Sequence, residues 1–555
     1  MKVEIDFKQV DPAAKNDAAF AVSEQEPWSD IALFNEDGIN PGPNCMTLEE
    51  NYSVLDGVMD EFPDDAESLD WGWWSATLSD IDGAFTPIPT IDITFGSNHK
   101  SLGVTLYFYP YSTDYASLVR VTWYDAADNI LATGEYANTK VVCAVEESVI
   151  DYRRIKIELL MTNVPYRFAK IYAIDFGVAK VFEDRDIDTA NILEEIDPIS
   201  DIISVNTLGF KVKTHDPEFS IVTGNAADQM LMKQQMMTVK GDDAPFGVFF
   251  LDTWKDSQNN GTVFDFQLVD AIGVMDNYRF YGGMYNNKDV SELLGKLFSL
   301  CFPTGLIGFV LDAELQGQTL TGYLPIMTAR EALQQICFAM GAVADTSRRN
   351  YVWIYPRDTT PQFSIPKEKI YQGGQIQPTT YFSGLDLVAF DYSVDSETSE
   401  AYKGNLATGE FTLEFSEPYT GLSITGADIL EYGVNYARVS VSTPGEVVIT
   451  GNKYEANEVR YTARDELNAG EIENVCVFDK CTLVNQTNAQ GLLDKLFSYL
   501  KQRAQIESDV RLDDLEPGYV AQIETYGKPI TGTIEKLDID IRGSRAKARI
   551  VGNVD

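Results

Sequence analysis

The sequence predicts a mainly β, multi-domain chain with a few short helices, and three observations predict it. Apolar and polar residues alternate in many short runs, among them Thr90 to Phe95, Leu102 to Phe108, Val119 to Trp123 and Ile155 to Leu159. Turn clusters such as Gly96-Ser97-Asn98 and Asp125-Ala126-Ala127-Asp128-Asn129 separate them. Helical periodicity with matching caps is confined to three short stretches. At 555 residues the chain exceeds what one core can hold, so it divides into several domains that each bury their own.

Residues 1–40 hold few periodic apolar positions and much Asp, Glu, Ala and Pro, the texture of an extended arm. Its apolar cluster, Pro27-Trp28-Ser29-Asp30-Ile31-Ala32-Leu33-Phe34, is an anchor onto its own chain or a neighbour, with Trp28 the candidate inter-subunit residue. From 41 to 178 the short alternating strands predict an antiparallel β-sandwich, ending near Ile174-Asp175-Phe176-Gly177. Beyond it, Met230 to Met237 reads as core packing. Gly247 to Leu251 and Val263 to Val269 form a hairpin around Asp256-Ser257-Gln258-Asn259-Asn260-Gly261.

The stretch 328–356, TAREALQQICFAMGAVADTSRRNYVWIYP, is the most self-consistent in the chain. Thr328 and Glu331 make a capping box, Leu333, Ile336, Cys337 and Met340 share one helical face, and Gly341 stops the helix. A polar turn, Thr346 to Asn350, then precedes an aromatic, β-branched strand from Tyr351 to Tyr355. The same grammar opens helices at Asp289 with Glu292 and at Thr487 with Gln490. Strands return at Phe411 to Phe415, Val434 to Val441 and Gly445 to Ile449. The chain finishes as a meander of Tyr519 to Thr525, Thr531 to Ile541 and Ala546 to Val551. The boundaries expected are therefore 1–40, 41–178, 179–395 and 396–555.

With 43 Lys and Arg against 85 Asp and Glu, the formal charge of −42 excludes a surface built to grip phosphate. Six scattered cysteines without a Cys-x-x-Cys pair indicate neither a zinc site nor a disulfide framework. The start lacks an apolar signal region, and the longest apolar run, around Leu297 to Leu311, is broken by Pro303, Gly305 and Gly308. No membrane-spanning segment is therefore expected, and folding takes place in a reducing cytoplasm. The two histidines, His99 and His215, both read as turn residues, which leaves little material for a Ser-His-Asp triad or a metal centre. No phosphate-cradling glycine motif occurs. Neither catalytic residues, nor metal, nor cofactor are expected.

Abundant carboxylates leave a glycosidase open, since that reaction needs only two suitably spaced acids. Trp71, Trp73 and Trp74, close to Asp70 and Asp80, are candidate glycan-binding residues because indole faces stack on sugar rings. The alternative is that they pack the edge of the sandwich. Asp80-Ile81-Asp82-Gly83 lacks the spacing of a calcium loop.

Six stretches carry a resemblance: 192–212 (ILEEIDPISDIISVNTLGFKV), 245–254 (PFGVFFLDTW), 264–285, 328–356, 488–503 (NAQGLLDKLFSYLKQR) and 515–543. Together they make residues 180–555 similar to the baseplate hub and tail-tip proteins of tailed bacteriophages. TLEENYSVLDG at 47–57 and WGWWS at 71–75 make the N-terminal part look like the discoidin-like or carbohydrate-binding, jelly-roll modules fused to such hubs. The resemblance implies two tail-tube-like β-barrels with helical insertions, at 179–395 and 396–555, and a homotrimer that mimics a six-fold ring. It implies a non-enzymatic virion protein at the distal tail, made in the bacterial host cytoplasm. Its partners would be the tail tube and other baseplate proteins, with DNA passing through the lumen without specific binding. It has no evident peptidoglycan-cutting domain. The alternatives are a tail-tip adhesin for host-surface glycan and the carboxylate-dependent glycosidase.

Overall fold

The computed structural model describes residues 2–26, 29, 47, 49–50, 72–108, 114–214, 235–242, 244–258, 262–303, 305–467, 470 and 472–554. Two units divide the chain, one built on Ile5–Phe182 and the other on Glu183–Thr214 and Thr238–Asp555 with the first four residues. Both are mainly β, and among the described residues no helix exceeds 12 residues. His215 and most of the Met230 to Met237 run lie outside the described residues.

In the first unit, α1 (Pro12–Asp17) and β1 (Ala18–Val22) occupy the stretch where composition predicts an extended arm. Local chemistry explains the helix: Asp11 accepts the Ala13 N–H, and Pro12 stands at the first turn, where its missing N–H costs nothing. Six further strands follow: β2 (Trp73–Leu78), β3 (Thr90–Phe108), β4 (Ala116–Tyr124), β5 (Ile130–Ala137), β6 (Val142–Thr162) and β7 (Phe168–Asp175). Their order across the sheet is β2-β7-β3-β6-β4-β5, with β1 also on β3. Register breaks between Thr94 and Gly103 divide β3. Its first half pairs with β1 and its second with β7, while β6 follows both. His99 therefore lies inside a strand and not in a free turn. The core gathers Trp73, Trp123, Phe95, Phe108, Tyr152 and Phe176 with the inward aliphatic residues of β3, β4 and β6.

The second unit is organised by one broad antiparallel sheet. Among its strands are β8 (Ile187–Glu195), β9 (Thr207–Thr214), β10 (Ala244–Gln258), β11 (Thr262–Val269), β12 (Ile370–Pro378), β13 (Ala504–Arg511), β14 (Ile530–Asp540) and β15 (Arg545–Val554). They run in the order β12-β13-β15-β14-β8-β9-β11-β10. The joint is β8 on β14, where Asn191 to Glu195 faces Asp540 to Lys536. The segments on either side of the 395/396 boundary thus share a sheet, and the strand Gly384–Leu406 runs straight through that position. Between these strands come α2 (Val290–Cys301), α3 (Ala329–Met340) and α4 (Ala489–Leu500).

All three helices arise where capping and periodicity predict them. Thr328 and Glu331 form both hydrogen bonds of the capping box, and Gly341 adopts φ +63° to end α3. At α4 the N-cap is Asn488, one residue later than the Thr487 expected, because Asn485 captures the Thr487 N–H and hydroxyl. The hairpin of Ala342–Asp345 with Tyr351–Pro356 follows α3, and Gly308–Leu311 lies parallel beside its second strand.

At one register position of the meander, Gly532 faces Gly552. A Cβ at Gly532 would stand 2.2 Å from the Val551 carbonyl oxygen and 2.7 Å from the Gly552 Cα, so the two strands approach as only glycine allows. Gly532→Ala should destabilise the chain by about 1–3 kcal/mol, the usual cost of overpacking, read as a lowered midpoint in urea denaturation.

Candidate functional site

Alternation gives the broad sheet two unlike faces. One is packed, with Ile506, Ile550, Leu537, Ile192, Phe210 and Phe266 buried. The other is polar, and its charges stand in rows across neighbouring strands. Glu507, Arg549, Lys536 and Glu195 lie side by side on β13, β15, β14 and β8. Asp509, Lys547 and Asp538 form a second row, and Lys211, Asp265 and Lys255 a third on β9, β11 and β10.

Several cations on this face are met by carboxylates. Lys547 reaches Glu507 at 2.9 Å, Arg549 reaches Glu195 at 2.6 Å, and Asp265 lies 3.8 Å from Lys211 and 3.5 Å from Lys255. The Lys547 partnership holds the Glu507 carboxyl below its ordinary range. Exposed pairs of this kind contribute little stability. Their effect is electrostatic: nearby carboxylates offset positive charge on this face, with Lys211 and Lys255 sharing Asp265.

The packed face carries an enclosed polar network around the Thr346 to Asn350 turn. Arg348, held at φ +58°, places its Nε 3.3 Å from Glu194 and donates to the Leu515 carbonyl at 2.5 Å. Arg349 reaches Glu516 at 2.8 Å and lies over the Trp353 ring. Asp270 accepts from the Asn206 N–H, the Gly273 N–H and the Thr346 hydroxyl. Asn206 in turn donates to the hydroxyl oxygens of Thr346 and Ser347. Burial pushes Glu194 up to about 7 even with Arg348 beside it, and Asp270 up to about 6. Glu535, enclosed under Tyr499, is likewise raised to about 7 by burial.

Sequence reasoning recognised the turn but not its partners. A signal was available: Ile192, Glu194 and Ile196 alternate onto one face of β8, so a carboxylate stands where the pattern demands an apolar residue.

The tryptophans expected to meet sugar are distributed otherwise. Trp28 and Trp71 lie outside the described residues. Trp73 and Trp74 are 0% exposed. The Trp73 indole N–H donates to the Glu24 carbonyl at 3.0 Å. Trp74 lies under the Lys170 ammonium, 4.7 Å from its ring, with Phe168 alongside. Neither ring keeps an open face for stacking. Asp80 spends a carboxylate oxygen on the N–H groups of Asp82 and Ala84.

Lys170 belongs to a buried ion-pair group that the sequence did not announce. Its Nζ is 2.7 Å from Glu49 and 3.7 Å from Asp114, which also pairs with Arg167 at 3.0 Å. Burial lowers the Lys170 pKa. This group ties Glu49 and Glu50 to β7 through the Phe168 N–H and the Arg167 guanidinium. Among the described residues no cluster of His, Cys, Asp and Glu could hold a metal ion, and no helix is long and apolar enough to cross a membrane.

No protein-family model matches the chain, and no curated protein matches it either. Among solved structures the chain is similar to a tail protein from Neisseria meningitidis MC58, at 12% identity and a TM-score of 0.42, covering 67% of this chain and 93% of that one. It is similar to the 43 kDa tail protein of prophage MuSo2 from Shewanella oneidensis, at 13% identity and a TM-score of 0.41, covering 67% and 96%. A third likeness, over 32% of this chain and 99% of that one, is to the family 32 carbohydrate-binding module of NanJ from C. perfringens in complex with galactose. Its identity is 12% and its TM-score 0.20.

Two outcomes follow from the buried charges. Carboxyls raised by folding contribute stability below their ordinary values, and that stability is lost as pH rises through the folded values, here about 6 to 7. The melting temperature of the second unit should therefore fall between pH 5 and 8, and Glu194→Gln should flatten the fall in calorimetry. Lys170→Met leaves Glu49 buried without its cation and should cost about 3–5 kcal/mol, read from urea unfolding by tryptophan fluorescence.

Proposed function

We infer that this chain is a structural protein of a phage tail or a phage-tail-like particle, a trimeric hub at the distal end that adapts a six-fold tube to a three-fold tip. The observation that carries the reading is the polar face of the broad sheet, where each of the charge rows described pairs its cations with carboxylates in a chain of net charge −42. A bore walled by such faces repels or ignores the phosphate backbone, so duplex DNA slides past without being held. The opposite, apolar face carries the packing that keeps the wall rigid. The chain acts by shape and charge and performs no chemistry on DNA.

In this reading the sheet faces the axis, and copies close around it by rotational symmetry. The tail tube and other baseplate proteins are its neighbours. Its tryptophans favour scaffolding over sugar binding, because Trp73 and Trp74 are enclosed.

The test is mass photometry with electron microscopy of the purified chain, alone and with its co-expressed tail proteins. A three-fold ring with a central hole is expected. A monomer that persists alongside those partners overturns the reading. Replacing Glu195, Asp265 and Glu507 together by Gln should slow DNA passage in assembled particles and raise duplex binding, measured at low and high salt.

A further inference from the structure

Two adjacent glutamines on α3 hold opposite walls of one groove in the second unit. Gln334 donates to the carbonyls of Ser200 and Asp201, at 2.7 and 3.2 Å. Gln335 donates to the Lys480 carbonyl at 3.4 Å, accepts the Thr482 N–H at 3.1 Å, and its own carbonyl takes the Cys481 thiol at 3.4 Å. Between the walls is a cavity of about 570 Å³. Its apolar surface comes from Met327, Phe338 and Phe478, the two phenylalanine rings 5.5 Å apart. The walls are thus positioned before anything enters, which lowers the ordering cost of binding.

One wall is a strand whose outer edge is unpaired among the described residues. Val475–Phe478 pairs in parallel with Gly384–Leu387 on one side, and it ends its sheet. An unpaired edge presents a row of backbone donors and acceptors, a template on which another extended chain can pair. At the lip, Val477 is 47% exposed and Ile202 is 67% exposed, two aliphatic side chains facing water beside that edge. The charge at the rim is acidic: Asp201, Glu331 and Asp479 stand against Lys480 alone. Glu331 has one oxygen committed to the Thr328 N–H, so Asp201 and Asp479 set the field.

We propose that this groove is a docking site for an extended segment of another protein, which adds a strand to the Val475–Phe478 edge. Alternate apolar side chains of the guest fill the cavity over Phe338 and Phe478, and its basic residues lie toward Asp201 and Asp479. The guest is a different polypeptide because the rim asks for positive charge, and a chain of net charge −42 is a poor source of it. The proposal stands apart from the reading of the polar sheet face, since the groove would serve any assembly that needs a strand captured at this point.

The experiment uses the full chain and three fluorescein-labelled peptides in which valine alternates with Lys, with Thr or with Glu, followed by fluorescence anisotropy. The lysine peptide should saturate below about 1 mM, with the threonine peptide weaker and the glutamate peptide at least about tenfold weaker than lysine. Ile202→Lys alters only an exposed lip residue, removes its apolar contact and opposes the acidic rim, and should weaken the lysine peptide about tenfold without moving the melting temperature. Methylating alternate backbone nitrogens of the peptide should abolish binding, since strand pairing needs those N–H groups. Absence of saturable binding by all three peptides overturns the proposal, as does equal binding of the lysine and glutamate peptides. Undiminished binding by the N-methylated peptide or by Ile202→Lys overturns it too. None of these outcomes bears on ring formation.

Discussion

The pairing of β8 with β14 is the constraint on which the second unit depends. Five consecutive residues, Asn191 to Glu195, lie against Asp540 to Lys536 across more than 300 positions of intervening sequence. Closing so long a loop is entropically expensive at first but grows only slowly with length, so the ladder and the apolar face beneath it can sustain it. Once this joint forms, β9 to β11 extend the sheet on one side and β15, β13 and β12 on the other. Everything inserted between them, including the three helices and the long ribbon from Gly384 to Arg464, is then held at both ends by one platform.

That platform imposes a register, and the register sorts charge. A strand period of two leaves no freedom: if Ile192 and Ile539 face the core, Asn191, Glu195, Asp538 and Asp540 must face away. The opposite-charge rows of the polar face are consequences of the same choice that buries the aliphatic rows. Glu194 is the exception, forced inward by its place between Ile192 and Ile196 and answered there by Arg348. A carboxylate so placed costs stability at neutral pH, and the Arg348 guanidinium offsets part of that cost. The turn after Asp345, with Arg348 in a left-handed conformation, brings a guanidinium to that spot.

How much of this was legible in the sequence follows from the range of each signal. The helices at Val290, Ala329 and Ala489 announce themselves through caps and periodicity, and the final meander through alternation, because those signals act over a few residues. The short helix at Pro12 was missed where composition suggested an extended arm, although Asp11 and Pro12 together were a readable start signal. Partnerships between distant segments were not legible: nothing near Glu49 indicates Lys170, and nothing near Asn206 indicates Thr346. The aromatic run at 71–75 illustrates the other failure. Composition cannot distinguish an indole that meets solvent from one enclosed under a lysine, and Trp74 is of the second kind.

Enclosure also explains why the two units use charge so differently. In the first unit Lys170, Glu49, Asp114 and Arg167 are removed from water together, so each must find its counter-ion within the group and the group acts as a fixed strut. On the polar sheet face, Lys547, Glu507, Lys255 and Asp265 remain in water, where pairing is weak and salt-screened. A strut must not change with ionic strength, and burial protects it from screening. An open face has no such requirement, since pairs in contact with water can exchange partners or solvate without loss of the fold.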